Sequence, residues 1–252
     1  MNVLILAAGY ATRLYPLTLN KAKPLLVVGG KPIIEWLVDN LVGIADLETI
    51  YVVTNNKFAA DFQAWSQAYQ KHHPEFEFKV INDGSTSDKD KLGAIGDINF
   101  VVTRENLSGT SLLVAAGDNL FTDSLADFIV TARNTEVTVA VYDVGDTEVI
   151  KKYGNVAVDA EGIIIRFEEK PEQPEGTLAA IALYYYSPAV LSLLRTYLAA
   201  GNNADQPGRF VQWLYTRKPV KTFQVKGQWL DIGSRETLEN ADRILGENRN
   251  VK

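Results

Sequence analysis

Residues 2–24, NVLILAAGYATRLYPLTLNKAKP, decide the fold. The segment begins with an apolar run, Val3 to Leu6, and such a run bounded by a turn is typical of a buried β-strand. Small residues follow at 7–9, and they let backbone N–H groups approach the oxygens of a phosphate closely. Arg13 and Lys23 then add two positive charges, the first as a planar fork and the second as a point charge. These residues predict a strand that feeds a phosphate-binding loop, although an ordinary turn with two basic surface residues would share the same pattern.

The whole string is more specific than its parts. L-A-A-G-x-A-T-R-L-x-P-L-T followed by K-P-L-L resembles the signature loop of the sugar-1-phosphate nucleotidyltransferases, also called NDP-sugar pyrophosphorylases. The resemblance implies that the loop wraps the triphosphate of an NTP. The nucleotide contacts that it implies in this loop are Leu6, Ala8, Gly9, Thr12, Arg13 and Lys23. Ala11 stands where the family usually has a second glycine, and a positive φ at that position would cost alanine about 1 kcal/mol.

Composition limits the class of protein. The chain has 252 residues, 46% of them hydrophobic and 22% charged, which is ordinary for a folded globular protein. A net charge of −6 argues against general nucleic-acid binding, whereas a small anionic substrate needs only a local basic cluster. There is no cysteine, hence no disulfide and no thiolate metal site. No apolar run is long enough to cross a membrane, so we expect a cytoplasmic enzyme.

Hydrophobic periodicity predicts an α/β fold, a Rossmann-like and mostly parallel sheet flanked by helices. Strands are predicted at 49–54, 76–81, 111–116 and 136–142, and helices at 32–44, 58–69 and 92–105. From residue 151 onward, short alternating runs predict an added antiparallel layer, and a final helix is predicted from Ser234 to about Leu245. We therefore expect one domain over 1–252, with a nucleotide-binding half (1–145) and a sugar-phosphate-binding half (146–252).

Two aspartates follow predicted strand ends. Asp118 comes directly after the strand at 111–116, where a carboxylate faces the crevice in which parallel sheets bind ligands. A capping role in a tight turn is the structural alternative. The resemblance adds that Asp118 ligates a metal ion. Trp229-Leu230-Asp231-Ile232-Gly233 matches the family's W-x-D-[TI]-G, which implies that Asp231 is the second ligand of Mg²⁺.

The second half of the chain carries the motifs for the sugar phosphate. Tyr153-Gly154-Asn155-Val156 resembles the family's Y-G-x-[VI], and residues 167–171, FEEKP, match its F-x-E-K-P. Ala182-Leu183-Tyr184 falls on its G-[LI]-Y. Glu-Glu-Lys by itself is usually a solvated charge cluster. With the resemblance, Gly154, Glu169, Lys170 and Tyr184 are the implied sugar-phosphate contacts.

Two further regions bear on specificity. Leu92-Gly93-Ala94 occupies the place of the family's contacts to the nucleotide base, which makes Leu92 and Gly93 candidate nucleotide contacts. Residues 204–210, ADQPGRF, depart from the acidic stretch that thymidylyltransferases usually carry, so the resemblance does not identify the sugar. Arg209 in this stretch is a candidate phosphate contact.

Together the motifs imply that the chain joins an NTP, with dTTP or UTP favoured, to a sugar 1-phosphate, with hexose favoured, and releases pyrophosphate. Arg13, Lys23, Asp118 and Lys170 would be the catalytic residues. A CTP-dependent cytidylyltransferase for a phospho-alcohol or another sugar phosphate is an alternative within the enzymes. A non-catalytic regulatory relative that binds nucleotide sugar is an alternative from another class. A homo-oligomer is compatible with the family, but no assembly signal is apparent.

Overall fold

A computed structural model describes residues 1–249, with side chains described as far as residue 246. The contacts within the chain define two compact units. The N-terminal unit comprises Val3–Lys91, Ala116–Ala126 and the chain from Gly227 onward, and the central unit comprises Met1–Asn2, Leu92–Ala115 and Asp127–Lys226. None of the helices within the described residues is long and apolar enough to cross a membrane.

The N-terminal unit is built on parallel strands. Its strands are β1 (Asn2–Leu6, of which the first residue belongs to the other unit), β2 (Val27–Val28), β3 (Lys31–Pro32), β4 (Thr49–Thr54), β5 (Glu77–Asn82), β7 (Asn119–Phe121) and β13 (Trp229–Asp231). Its helices are α1 (Ile33–Asp39), α2 (Ala59–Gln70) and α9 (Arg235–Arg249). β4 pairs in parallel with both β1 and β5, and every residue of β4 is buried. A strand covered on both faces needs an unbroken apolar, β-branched run, which TIYVVT provides.

The central unit is largely antiparallel. Its strands are β6 (Leu112–Ala116, of which the last residue belongs to the other unit), β8 (Val137–Asp143), β9 (Gly154–Val158), β10 (Ile164–Glu169), β11 (Leu178–Tyr186) and β12 (Lys221–Gln224). β11 pairs antiparallel with β6, β8 and β9, β9 pairs with β10, and β12 joins β8 in parallel. Its helices are α3 (Ala94–Arg104), α4 (Ala126–Ala132, of which the first residue belongs to the other unit), α5 (Thr147–Ile150), α6 (Pro188–Leu191), α7 (Leu193–Ala199) and α8 (Pro207–Leu214).

The predicted fold class, α/β with an added antiparallel layer, is confirmed. The predicted strand at 49–54 has the observed bounds, and the other predicted strands agree within two residues. The helix predicted over 32–44 is wrong at its end, because α1 stops at Asp39 and the chain then turns through Gly43 at a φ of +79°. The expected halves at 1–145 and 146–252 stay a prediction.

The last helix closes the core of the N-terminal unit. Ala241 and Leu245 of α9 join an apolar cluster with residues of the first loop (residues 7–26, between β1 and β2), of β2, of α1, of β7 and of the segment after β13. Gly29 lies so close to α9 that an added Cβ would stand 2.8 Å from Cβ of Leu245. The backbone N–H of Gly29 donates to Asp242 Oδ1 over 2.8 Å, which fixes the helix against the β2–β3 turn.

Candidate active site

The first loop leaves β1 at its carboxyl end, as predicted. Gly9, Thr12 and Arg13 are exposed, whereas Ala8 is buried and Leu6 is half-buried. Arg13 lies in a single 3₁₀ turn, Thr12–Leu14, and makes no ion pair with any carboxylate of the described residues. The loop therefore presents a free guanidinium group to solvent, where a phosphate can reach it.

Ala11 has a left-handed backbone, with φ +47° and ψ +43°. Its carbonyl oxygen accepts hydrogen bonds from the backbone N–H of Leu14 and from Oγ1 of Thr18, which is buried. These contacts hold the loop in a conformation that favours glycine. Ala11 thus has the positive φ for which the sequence analysis gave alanine a cost of about 1 kcal/mol.

Asn55 anchors the loop from β4, and sequence analysis missed it. The side chain is fully buried, and its Nδ2 donates to the carbonyl oxygen of Ala8 over 2.9 Å. Its Oδ1 accepts from the backbone N–H groups of Lys57 and Phe58. An asparagine at a strand end usually indicates a turn. That Asn55 fixes the first loop is apparent only from the neighbouring positions of β1 and β4 in the sheet.

Gly117 brings Asp118 to the same loop. Its backbone N–H donates to the carbonyl oxygen of Leu6 over 2.9 Å. A Cβ at position 117 would lie 3.1 Å from side-chain atoms of both Ile5 and Pro24. Only a residue without a side chain fits comfortably here, and the glycine thereby places Asp118 beside Lys23.

Lys23 and Asp118 form an ion pair. Nζ of Lys23 lies 2.5 Å from Oδ2 of Asp118, and the two side chains are 16% and 26% exposed. The same Nζ also donates to the carbonyl oxygen of Ile232. One ammonium group thus ties the loop, the end of β6 and the residue after Asp231 together.

The register of β7 and β13 explains how Asp231 joins this cluster. The strands are antiparallel, with Asp231 paired to Asn119, the residue after Asp118. Trp229 Nε1 donates to the buried Asn119 Oδ1 and secures the pairing. Paired Cα atoms in such ladders lie about 4.5–5.5 Å apart, so the backbones carrying the two aspartates are neighbours.

The donor set fits a hard divalent cation. The described residues contain no group of three or more His, Cys, Asp and Glu side chains arranged for a metal ion. Mg²⁺ usually takes one or two carboxylates and completes its shell with water and substrate phosphates. Two carboxylates beside a loop predicted to bind phosphate match that mode, and ligation by Asp118 and Asp231 stays a prediction.

The predicted sugar-phosphate residues meet around Glu169 in the central unit. β9 and β10 pair Glu169 with Gly154, and a Cβ at position 154 would lie 3.1 Å from Oε2 of Glu169. Burial raises the pKa of Glu169, while the positive charges of Lys170 and Arg209 oppose that rise. Lys170 itself is exposed and has a left-handed φ of +52°, stabilised by a hydrogen bond from its N–H to the carbonyl oxygen of Tyr153.

Gly208 is a second residue that sequence analysis missed. It lies in the first turn of α8, where a Cβ would stand 1.9 Å from Oε2 of Glu169. The carboxylate is thus enclosed by two glycines, Gly154 and Gly208. A Pro-Gly dipeptide is typical of a turn, so the sequence gives no sign that this glycine makes room for an acid far away in the chain.

Three more residues were predicted to contact a ligand, and two of them, Tyr184 and Gly93, also have a packing role within the chain. Tyr184 is only 3% exposed and its ring stacks on Tyr186, with ring centroids 5.9 Å apart. Gly93 has a φ of +79°, and a Cβ there would lie 2.6 Å from the carbonyl oxygen of Ala204. Leu92 is 38% exposed. The ligand contacts predicted for these three residues stay predictions.

The comparisons identify the family. The family model described as "Nucleotidyl transferase" matches residues 2–248. A bifunctional protein GlmU of Methanocaldococcus jannaschii is 27% identical over 245 residues, which are 97% of this chain but 54% of that protein. The UTP–glucose-1-phosphate uridylyltransferase AglF of Haloferax volcanii is 25% identical over 98% of this chain and 97% of its own.

Several of the curated relatives are longer proteins, and the chain spans about half the length of the GlmU relatives that it matches. Among solved structures, a UDP-glucose pyrophosphorylase complexed with UDP-glucose superposes with a TM-score of 0.82. That likeness covers 98% of this chain and 99% of the other at 22% identity, and it shows the fold. The match over nearly all of its length shows that this chain belongs to the nucleotidyl transferase family.

Proposed function

We propose that the chain transfers a nucleotidyl group from dTTP or UTP to a hexose 1-phosphate. The observation that carries this proposal is the cluster of Lys23, Asp118 and Asp231 at the end of the first loop, where the Lys23 ammonium contacts the Asp118 carboxylate at 2.5 Å. The family match supports the reaction type. The uridylyltransferase relative, which matches at nearly full length, supports UTP and glucose 1-phosphate.

The reaction is a displacement at phosphorus. A phosphate oxygen of the sugar 1-phosphate forms a bond to the α-phosphorus of the NTP, and the bond from that phosphorus to the oxygen bridging to the β-phosphate breaks. Pyrophosphate leaves, and no covalent enzyme intermediate is required. Two anions must meet and charge builds on the leaving group, so the barrier is mainly electrostatic.

Each group of residues has a distinct role in this proposal. The loop backbone and Arg13 bind the β- and γ-phosphates, and Lys23 lowers the negative charge at the reacting phosphate. Asp118 and Asp231 hold Mg²⁺, which when bound supplies Lewis-acid stabilisation of the reacting phosphate oxygens. Glu169 accepts hydrogen bonds from sugar hydroxyl groups, and Lys170 pairs with the sugar phosphate.

The test is pyrophosphate release by purified protein with Mg²⁺, with five NTPs crossed with a panel of sugar 1-phosphates. We expect turnover with dTTP or UTP and a hexose 1-phosphate. Turnover only with CTP, and with a phospho-alcohol, would favour a cytidylyltransferase instead. No turnover with any pair would favour a binding protein without catalysis.

Asp118→Asn tests the proposed metal pair. We expect a loss of about 100-fold or more in kcat with the fold retained, since one charge at the reacting phosphates is removed. Asp123→Asn is the matched control, because Asp123 is an exposed aspartate shortly after β7 in the same unit. A folded Asp118→Asn variant with full turnover would refute the role given to this carboxylate.

A further inference from the structure

The central unit contains a pocket that is lined by none of the residues given a role in the proposed reaction, although it includes Arg209, which the sequence analysis named as a candidate phosphate contact. It has a volume of about 400 Å³, which is within the range of small-molecule sites. Its wall is formed by Tyr197 of α7, by the loop that joins α7 to α8, and by α8 with the residues after it. The residues that matter for its chemistry are Asn202, Asn203, Arg209, Gln212, Trp213 and Arg217.

The charge of the pocket is opposite to that of the chain. Two arginines line it, and none of its lining residues is acidic, although the chain as a whole has a net charge of −6. Neither guanidinium pairs with a carboxylate in the described part of the chain. Such a local excess of positive charge favours an anionic ligand.

Neutral partners hold both arginines in place. Arg209 donates to the side-chain oxygens of Gln206 and Gln212, each over 3.2 Å. Arg217 donates to the carbonyl oxygen of Trp213 over 2.8 Å, and its guanidinium stacks over the Trp213 ring at 4.0 Å. These partners orient the two cations without neutralising them, which lowers the ordering cost of binding an anion.

The aromatic ring of Trp213 does not serve as a stacking surface. Arg217 covers it, Phe210 stacks against it at a centroid distance of 6.1 Å, and Tyr197 meets it edge to face. A flat aromatic ligand would have to displace one of these groups. The pocket therefore suits a compact ligand that carries oxyanions, with the side-chain amides of Asn202 and Asn203 as further hydrogen-bonding groups.

We propose that this pocket binds a small molecule bearing phosphate or carboxylate groups, held between Arg209 and Arg217. The proposal goes beyond the transferase activity and does not depend on it. Arg209 nevertheless connects the two regions, because its positive charge also acts on the carboxylate of Glu169, and Gly208 beside it contacts that carboxylate. An anion that neutralises Arg209 will consequently alter the electrostatic environment of Glu169.

The test is an NMR titration of the full chain with inorganic phosphate and, separately, with citrate at constant ionic strength set with sodium chloride. The indole N–H signal of Trp213, assigned by its loss in Trp213→Phe, reports on the pocket. We expect a saturable shift with at least one of the two anions, and the anion that binds more tightly identifies the oxyanion. Arg209→Gln and Arg217→Gln should each weaken that binding about tenfold, the usual loss for one charge-assisted hydrogen bond.

Two variants serve as controls. Arg195→Gln removes an exposed arginine of α7 that does not line the pocket, and it should leave the affinity unchanged. Arg13→Ala removes a cation of the first loop and should also leave the Trp213 shift unchanged. The proposal is overturned if the Trp213 signal does not respond, if both pocket-arginine variants bind the anion as tightly as the unsubstituted chain, or if Arg13→Ala abolishes the response. Because Arg217 is exposed, its substitution keeps the experiment interpretable even if Arg209→Gln unfolds.

Discussion

Replacing Gly208 by alanine should weaken the binding of the sugar phosphate while leaving the fold stable. The new Cβ would lie 1.9 Å from Oε2 and 2.9 Å from Cδ of Glu169. Ordinary contact begins near 3.4 Å, so the carboxylate must move by about 1.5 Å. These two atoms are the end of a flexible side chain, and the third neighbour, Cζ of Phe167 at 3.3 Å, is only slightly inside ordinary contact, so the carboxylate can move while the helix stays in place.

The size of the effect follows from that displacement. A shift of about 1.5 Å exceeds the distance range over which a hydrogen bond forms. Losing one hydrogen bond to a charged group costs about 1.5–3 kcal/mol, which corresponds to a rise of about 10- to 140-fold in KM for the sugar 1-phosphate. Alanine is favoured over glycine inside a helix by up to about 1 kcal/mol, so Tm should stay constant or rise.

The assay is steady-state kinetics with each substrate varied in turn, together with thermal unfolding. KM for the NTP should be nearly unchanged. Gly246→Ala is the matched control, because Gly246 lies in α9 with no atom within 4 Å of the new Cβ. An unchanged KM for the sugar 1-phosphate, in a protein whose Glu169→Gln variant does lose affinity, would refute the proposed displacement. Equal rises in both KM values would refute it as well.

Three further substitutions test the burial of Glu169 and the conformation of the first loop. Burial raises the pKa of Glu169 in the folded chain, so ionising this carboxyl group lowers stability at pH values above its unfolded-state pKa of 4.5 and has no such effect below it. Glu169→Gln should therefore raise Tm at pH 7 but not at pH 3. A Tm difference independent of pH would contradict this. Asn55→Ala should lower the free energy of unfolding in urea by about 1–3 kcal/mol, because buried partners lose their hydrogen bonds, whereas the exposed Asn56→Ala should change little; equal losses would contradict the anchoring role. Ala11→Gly should raise that free energy by up to about 1 kcal/mol, because it relieves a left-handed alanine; a decrease would show that the alanine is unstrained.

Local patterns predicted the elements that local forces determine. β4 agreed to the residue because a run of β-branched and apolar side chains admits one interpretation when both faces are buried. β7 and β13 were not predicted, since three-residue strands are too short to show a period. Their pairing depends on the register that brings Asn119 opposite Asp231.

In the candidate site, too, the sequence predicted individual residues but not the contacts between them. The motifs identified Lys23, Asp118, Asp231 and Glu169 as candidates, but the Lys23–Asp118 ion pair could be found only in the structure. Position 208 illustrates why. Whether a glycine there is a turn residue or makes room for a carboxylate depends on what packs against it, and that neighbour comes from a remote strand.

The position of β13 also has a consequence for biosynthesis. The two proposed metal ligands come from chain segments that are synthesised at different times, and the later one belongs to the strand just before α9. A ribosome-bound chain that has not yet extruded residues 229–231 already carries the loop, Lys23 and Asp118, but it has no partner strand for β7. Under the proposed chemistry, such a nascent chain bearing the first loop lacks one metal ligand, and full catalytic competence would be acquired only after β13 has emerged and paired with β7.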